Sequence, residues 1–144
     1  MQFQWPDLKT YPPSVRNGIL LLWGGWAMHF YFYFFIYLNY FPNVSGREAV
    51  LQLGVGIGIC YFVGILKKWA RALSLFFNLG ILLIYTIAAL RAVSNQNFYI
   101  AMVTGATAVL FAGSTYYLMK KESAAFFSQR NPVHQPPENK DKQP

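Results

Sequence analysis

His29 stands in the longest uncharged stretch of the chain: between Arg16 and Arg47 there is no other Asp, Glu, Lys, Arg or His. An imidazole in such surroundings can ligate a metal or haem, carry protons along a relay, or sit neutral with its ring nitrogens hydrogen-bonded. A haem would want a second axial group, and the other histidine, His134, lies near the C-terminal end. A relay needs acids, and none of Asp7, Glu48, Glu122, Glu138 and Asp141 falls deep within an apolar run. A neutral, satisfied histidine is the favoured reading. At a rise of about 1.5 Å per residue, His29 lies about 16 Å from Gly18, where its run begins. Thr107 (about 18 Å) and Tyr85 (about 20 Å) reach similar depths in other runs, and either can hydrogen-bond it.

The remaining polar groups in the apolar runs read as fasteners. Asn78 and Cys60 both fall about 9 Å deep, and one buried amide ties helices together with about 1 kcal/mol or less. Gln52, Thr86 and Thr104 make a second polar level nearer the opposite face. Cys60 is the sole cysteine, which excludes intrachain disulfides and CxxC chemistry and leaves it as a small packing residue.

Two blocks of opposite character can pack together. Trp23, Trp26 and His29-Phe-Tyr-Phe-Tyr-Phe-Phe35 crowd rings onto one run, while Gly54, Gly56, Gly58, Cys60 and Gly64 strip the next. Residues four apart share a helix face, so Gly54/Gly58 and Gly56/Cys60/Gly64 are two rows that admit a close neighbour. Ala101/Gly105 and Thr104/Ala108/Ala112 in the last run are complementary small rows. Packing within one bundle is favoured over a homodimer seam. The Gly-x-Gly-x-Gly run is no phosphate loop, because it lacks a strand before it and a helix start after it. The aromatic block as a site for a quinone or other flat apolar molecule is the sharper alternative, but no polar groups visibly converge on it.

These residues need helices to position them. With 55% hydrophobic, 19% aromatic and 12% charged residues in 144, the chain has too few charges to cover a soluble domain of its size. The expected fold is all-α: a polytopic membrane protein with a four-helix transmembrane bundle over residues 14–121 and spans at about 17–41, 47–66, 71–92 and 98–119. Residues 1–13, with Phe3, Trp5 and three prolines, form an arm. Ser14 is the expected N-cap of the first helix. Residues 122–144 form a tail in which Phe126 and Phe127 can fold back, with disorder expected from about 131. Ten of the 12 Lys and Arg fall on the side of the termini and the 67–71 turn, leaving Arg47 and Arg91 on the other. That imbalance predicts both termini in the cytoplasm, and it accounts for the +7 charge without nucleic acid.

The turn Lys67-Lys68-Trp69-Ala70-Arg71 sets this register. Lys67 and Lys68 are read at the end of the second helix, where its dipole favours cations, and Arg71 at the start of the third, where the dipole opposes one. Arg71 therefore needs an anion, expected to be a lipid phosphate beside Trp69. The turn resembles the basic-Trp-Ala-Arg turn between spans two and three of small, uncharacterised four-span bacterial inner-membrane proteins, in which a basic segment ending in an Ala-Phe-Phe-like pair often follows the last span, as Ala125-Phe126-Phe127 does here. That resemblance implies a bacterial inner membrane and brings no activity. Small multidrug exporters are similar in size but depend on an intramembrane glutamate in the first span; disulfide-generating quinone enzymes need several cysteines, and alcohol-transferase phospholipid synthases need clustered aspartates. This chain has none of these. The expected function is non-catalytic, with no cofactor or metal: an accessory or interaction subunit packing against a membrane partner or anionic lipid. An oligomeric transporter or channel component comes second, and a quinone- or cofactor-binding subunit third.

Overall fold

The computed structural model describes residues 8–37 and 46–129. The expected arm through Trp5, the turn at 42–45 and the tail from 131, His134 included, lie outside the described residues. Within them the chain is helical throughout. After a 3-10 turn at Leu8–Thr10, α1 runs Pro13–Tyr31 and continues as a π-helix, Phe32–Tyr37; α2 is Gly46–Gly64, α3 Lys68–Ser94, α4 Phe98–Met119 and α5 Lys121–Gln129. Among the described residues three helical stretches are long and apolar enough to cross a membrane: Pro13–Tyr37, Lys68–Ser94 and Phe98–Met119. The expected second span is shorter, with its apolar part confined to Val50–Gly64.

Helix boundaries follow from local chemistry. Pro12 takes the cap position of α1 and Pro13 the first turn, where a fixed φ and a missing N–H do no harm. The expected cap, Ser14, is thereby drawn inside the helix and buried, and its hydroxyl has no partner. At the other end of the α3–α4 hairpin, Asn97 caps α4 by accepting from Ile100 N–H at 3.2 Å. Helices α2 and α3 both end in the paired closure of a Schellman motif: Leu66 N–H reaches Val63 O and Lys67 N–H reaches Phe62 O, and likewise Gln96 to Val93 and Asn97 to Ala92. The left-handed position is held by Leu66 (φ 63°) and Gln96 (φ 56°), where glycine is the usual choice. Leu66 compensates by burying its side chain in the core; Gln96 is exposed and gains nothing.

Because α2 stops at Gly64, Lys68 and Trp69 already belong to the first turn of α3. The expectation that Lys68 sits at a helix C-terminus is corrected: it shares the N-terminal turn with Arg71.

The two principal interfaces are α3–α4 and α1–α4, while α2 rests on α1 and α3 through much smaller ones. Close approach of α1 to α4 relies on glycines: a Cβ on Gly18 would lie 3.0 Å from Leu118, on Gly25 3.3 Å from Phe111, and on Gly113 3.0 Å from Leu21. Helix α2 meets the rings of α1, not the small residues of α4. A Cβ on Gly56 would lie 2.5 Å from Trp26 and 2.6 Å from Phe30. Cys60 O accepts from Trp23 Nε1 (3.2 Å), and Gly64 O from the Tyr11 hydroxyl (3.0 Å). The expected match between the glycines of α2 and Gly105, Ala108 and Ala112 of α4 is thus overturned, because rings, unlike methyl groups, fill the notch a glycine leaves. Gly54, Gly58 and Gly105 have no atom within 4 Å of an added Cβ.

Gln96→Gly should stabilise the protein by about 1 kcal/mol by relieving the left-handed backbone. Leu66→Gly should destabilise it, since about 2 kcal/mol of buried leucine is lost with the same relief. Unfolding midpoints in a single mixed-micelle system check both signs.

Candidate functional site

The polar groups of the helices converge at three places. The first is His29. The Tyr85 hydroxyl lies 2.9 Å from its Nδ1, and Gln52 Oε1 lies 3.4 Å from its Nε2. A phenol donates well to an imidazole nitrogen, and a carbonyl oxygen only accepts, so the neutral tautomer carrying its proton on Nε2 satisfies both contacts. One ring therefore joins α1, α2 and α3. Trp26 meets it edge-on at 5.2 Å and Tyr33 stacks on it at 6.3 Å.

Tyr85 is one of the two partners expected for His29. The other, Thr107, turns its hydroxyl to Val103 O at 2.8 Å in its own helix. Thr86 and Thr104 do the same, to Leu82 O and Ile100 O, as hydroxyls within helices commonly do. The expected level of Gln52, Thr86 and Thr104 is consequently not assembled. Residue counting puts Gln52 at that level, but its long side chain spans the few ångströms of depth that separate it from His29.

The second place is Asn78, fully buried, whose Nδ2 lies 3.4 Å from Ser114 Oγ. Ser114 in turn donates to Gly18 O at 3.1 Å. The buried amide thus ties α3 to α4 and, through Ser114, to α1, while its Oδ1 has no partner. Ser114 and the glycines of the α1–α4 seam escaped the sequence reading, although Ser114 and Asn78 occupy matching depths in neighbouring spans.

The third is the 67–71 end. Arg71 Nε donates to Leu118 O at 2.8 Å, and its guanidinium lies over Phe127 at 5.9 Å. Leu118 belongs to the last turn of α4, where carbonyls lack helical partners and the dipole is negative. The partial negative charge at the end of α4 therefore faces the cation at the start of α3. Lys67, Lys68 and Trp69 are exposed, with Trp69 against Phe62 at 5.0 Å. Phe127 is fully buried and Phe126 meets Tyr11 at 5.7 Å, so α5 folds back over this end of the bundle.

Beside His29, between α2 and α3, lies a cavity of about 320 Å³ lined by Trp26, His29, Leu51, Gln52, Val55, Phe77, Ile81 and Ile84. Among the described residues no group of three His, Cys, Asp or Glu side chains could hold a metal ion. No family model, curated protein or solved structure matches the chain.

Removing the Tyr85 hydroxyl (Tyr85→Phe) should cost about 1 kcal/mol, and much less when His29 is already Phe. Equal costs in the two backgrounds, read from unfolding in mixed micelles, would show that the bond is not formed. Arg71→Ala should lower the unfolding midpoint, whereas Lys67→Gln with Lys68→Gln should leave it unchanged and reduce co-purifying anionic lipid.

Proposed function

We propose that this chain is a non-catalytic integral membrane protein of the bacterial inner membrane: four spans, both termini cytoplasmic, acting as an accessory subunit that packs against another membrane protein. One observation carries the reading. The buried or half-buried side chains that bond across the fold, Tyr11, Trp23, His29, Arg71 and Asn78, each tie one helix or segment to another. Such groups at membrane depth are functional candidates by default, and here their bonding capacity goes to assembly.

Orientation rests on charge. Antiparallel helices bring Lys9, Arg16, Lys67, Lys68, Arg71, Lys120 and Lys121 to one end and Arg47 and Arg91 to the other, which supports the cationic end as cytoplasmic. Exposed Lys67, Lys68 and Trp69 then meet anionic headgroups. The fifteen residues of the apolar segment Val50–Gly64 extend about 22 Å, short of the hydrocarbon thickness. Local thinning and the reach of Arg47 make up the difference. The resemblance of the basic-Trp-Ala-Arg turn to that of small bacterial inner-membrane proteins supports the compartment.

The surface offered to a partner is the outer face of α2. Gly54 and Gly58 lie there with nothing packed on them, beside exposed Val50 and Ile57. An outer helix with its own small interfaces is completed by a neighbour.

Purification of the full-length chain from its native membrane in mild detergent should yield a defined complex with another membrane protein. Gly54→Leu with Gly58→Leu should release that partner without moving the unfolding midpoint. A chain that purifies alone, or as a homo-oligomer conducting solute in liposomes, would overturn the reading.

A further inference from the structure

The cavity beside His29 has a consequence independent of the partner face of α2. Its back wall is Trp26, buried to 4% exposure, and its lips are Leu51, Val55 and Ile84, exposed at 58%, 42% and 65%. It is a cleft with a closed rear and a mouth on the apolar surface of the bundle. The geometry behind it is simple. Helices α2 and α3 are held together at the Leu66 turn, yet share only a small interface beyond it.

One pole of the cleft is polar. With Nε2–H of His29 donating to Gln52 Oε1 and Nδ1 accepting from Tyr85, the imidazole is satisfied. Gln52, which also lines the cleft, is a different case: its oxygen is engaged by His29, and its amide N–H groups are the donors this side chain has left to offer. A lipid acyl chain entering here would cover the apolar walls but leave those donors unpaired, which is unfavourable in a medium without water. An occupant bearing a carbonyl oxygen satisfies them.

Depth separates the carbonyl sources. His29 lies about 16 Å from the membrane boundary at 1.5 Å per residue, near the midplane, whereas phospholipid ester carbonyls sit at the interface. A molecule carrying its carbonyl within the hydrocarbon core is therefore required, with a flat ring to lie between Trp26 and the Phe77–Ile81 wall. At about 320 Å³ the cleft is at the small end of ligand pockets, enough for a ring and the start of a tail whose remainder runs out into lipid.

We propose that this cleft binds the ring of a lipid-soluble quinone, one carbonyl accepting from the Gln52 amide. The site is a binding site, and no redox step is assigned to it.

Full-length protein in nanodiscs of defined phospholipid, titrated with decylubiquinone and followed by quenching of tryptophan fluorescence, tests the assignment. Saturable quenching is expected. Gln52→Leu should weaken it about tenfold, the loss of one hydrogen bond. Ile81→Trp, which fills the cleft and leaves the Gln52 amide in place, should abolish it; that variant keeps the test valid if Gln52→Leu unfolds. A decyl-substituted benzene without carbonyls should not compete. Non-saturable quenching alike in wild type and Ile81→Trp would overturn the proposal. So would a phospholipid retained by wild type, lost from Ile81→Trp and not displaced by the quinone.

Discussion

Close approach of α1 and α4 is the constraint on which the rest of the bundle depends. Gly18 and Gly25 on one helix and Gly113 on the other bring the backbones near enough for Ser114 to reach the carbonyl of Gly18. Asn78 donates to that same serine from α3. Three helices are thereby joined around one buried hydroxyl. In lipid no hydrophobic force drives helices together, so such packing and bonding must supply the association. Helix α2 is added to this three-helix body by a different device, rings set into a glycine notch.

The two devices differ in consequence. The α1–α3–α4 body is tightly packed, and at the 67–71 end the close of α2 and α5 join its core: Val15, Ile19, Val63, Leu66, Leu118 and Phe127 are buried almost completely. Arg71 is laid against the end of α4 and the ring of Phe127 at that end. Away from it, α2 touches little of α3, and the gap between them is the cleft beside His29. The same lightly held helix thus accounts for both the open glycine face and the cavity.

His29 illustrates how a reactive residue type becomes a structural one. Its nitrogens are occupied by Tyr85 and Gln52, so the ring organises three helices and orients the Gln52 amide. What remains available in the cleft belongs to the amide, a donor suited to binding and not to proton transfer.

Residue counting along the sequence was enough to locate helices, separate the cationic end from the other, and bring Tyr85 level with His29. These depend only on hydrophobic run length and a fixed rise per residue. Partner choice was not legible. Nothing in the spacing says whether Gly56 faces a ring of α1 or an alanine of α4, whether Thr107 turns to an imidazole or to its own helix, or that Arg71 reaches the end of α4. Rotation of each helix about its axis decides these, and rotation is set by how side chains of very different volume interlock. The sequence by itself determined that the chain is an apolar helical bundle with one cationic end. Only the tertiary structure decided that Ser114 is its central fastener, that Gln52 joins His29, and that α2 stands far enough from α3 to leave a cleft.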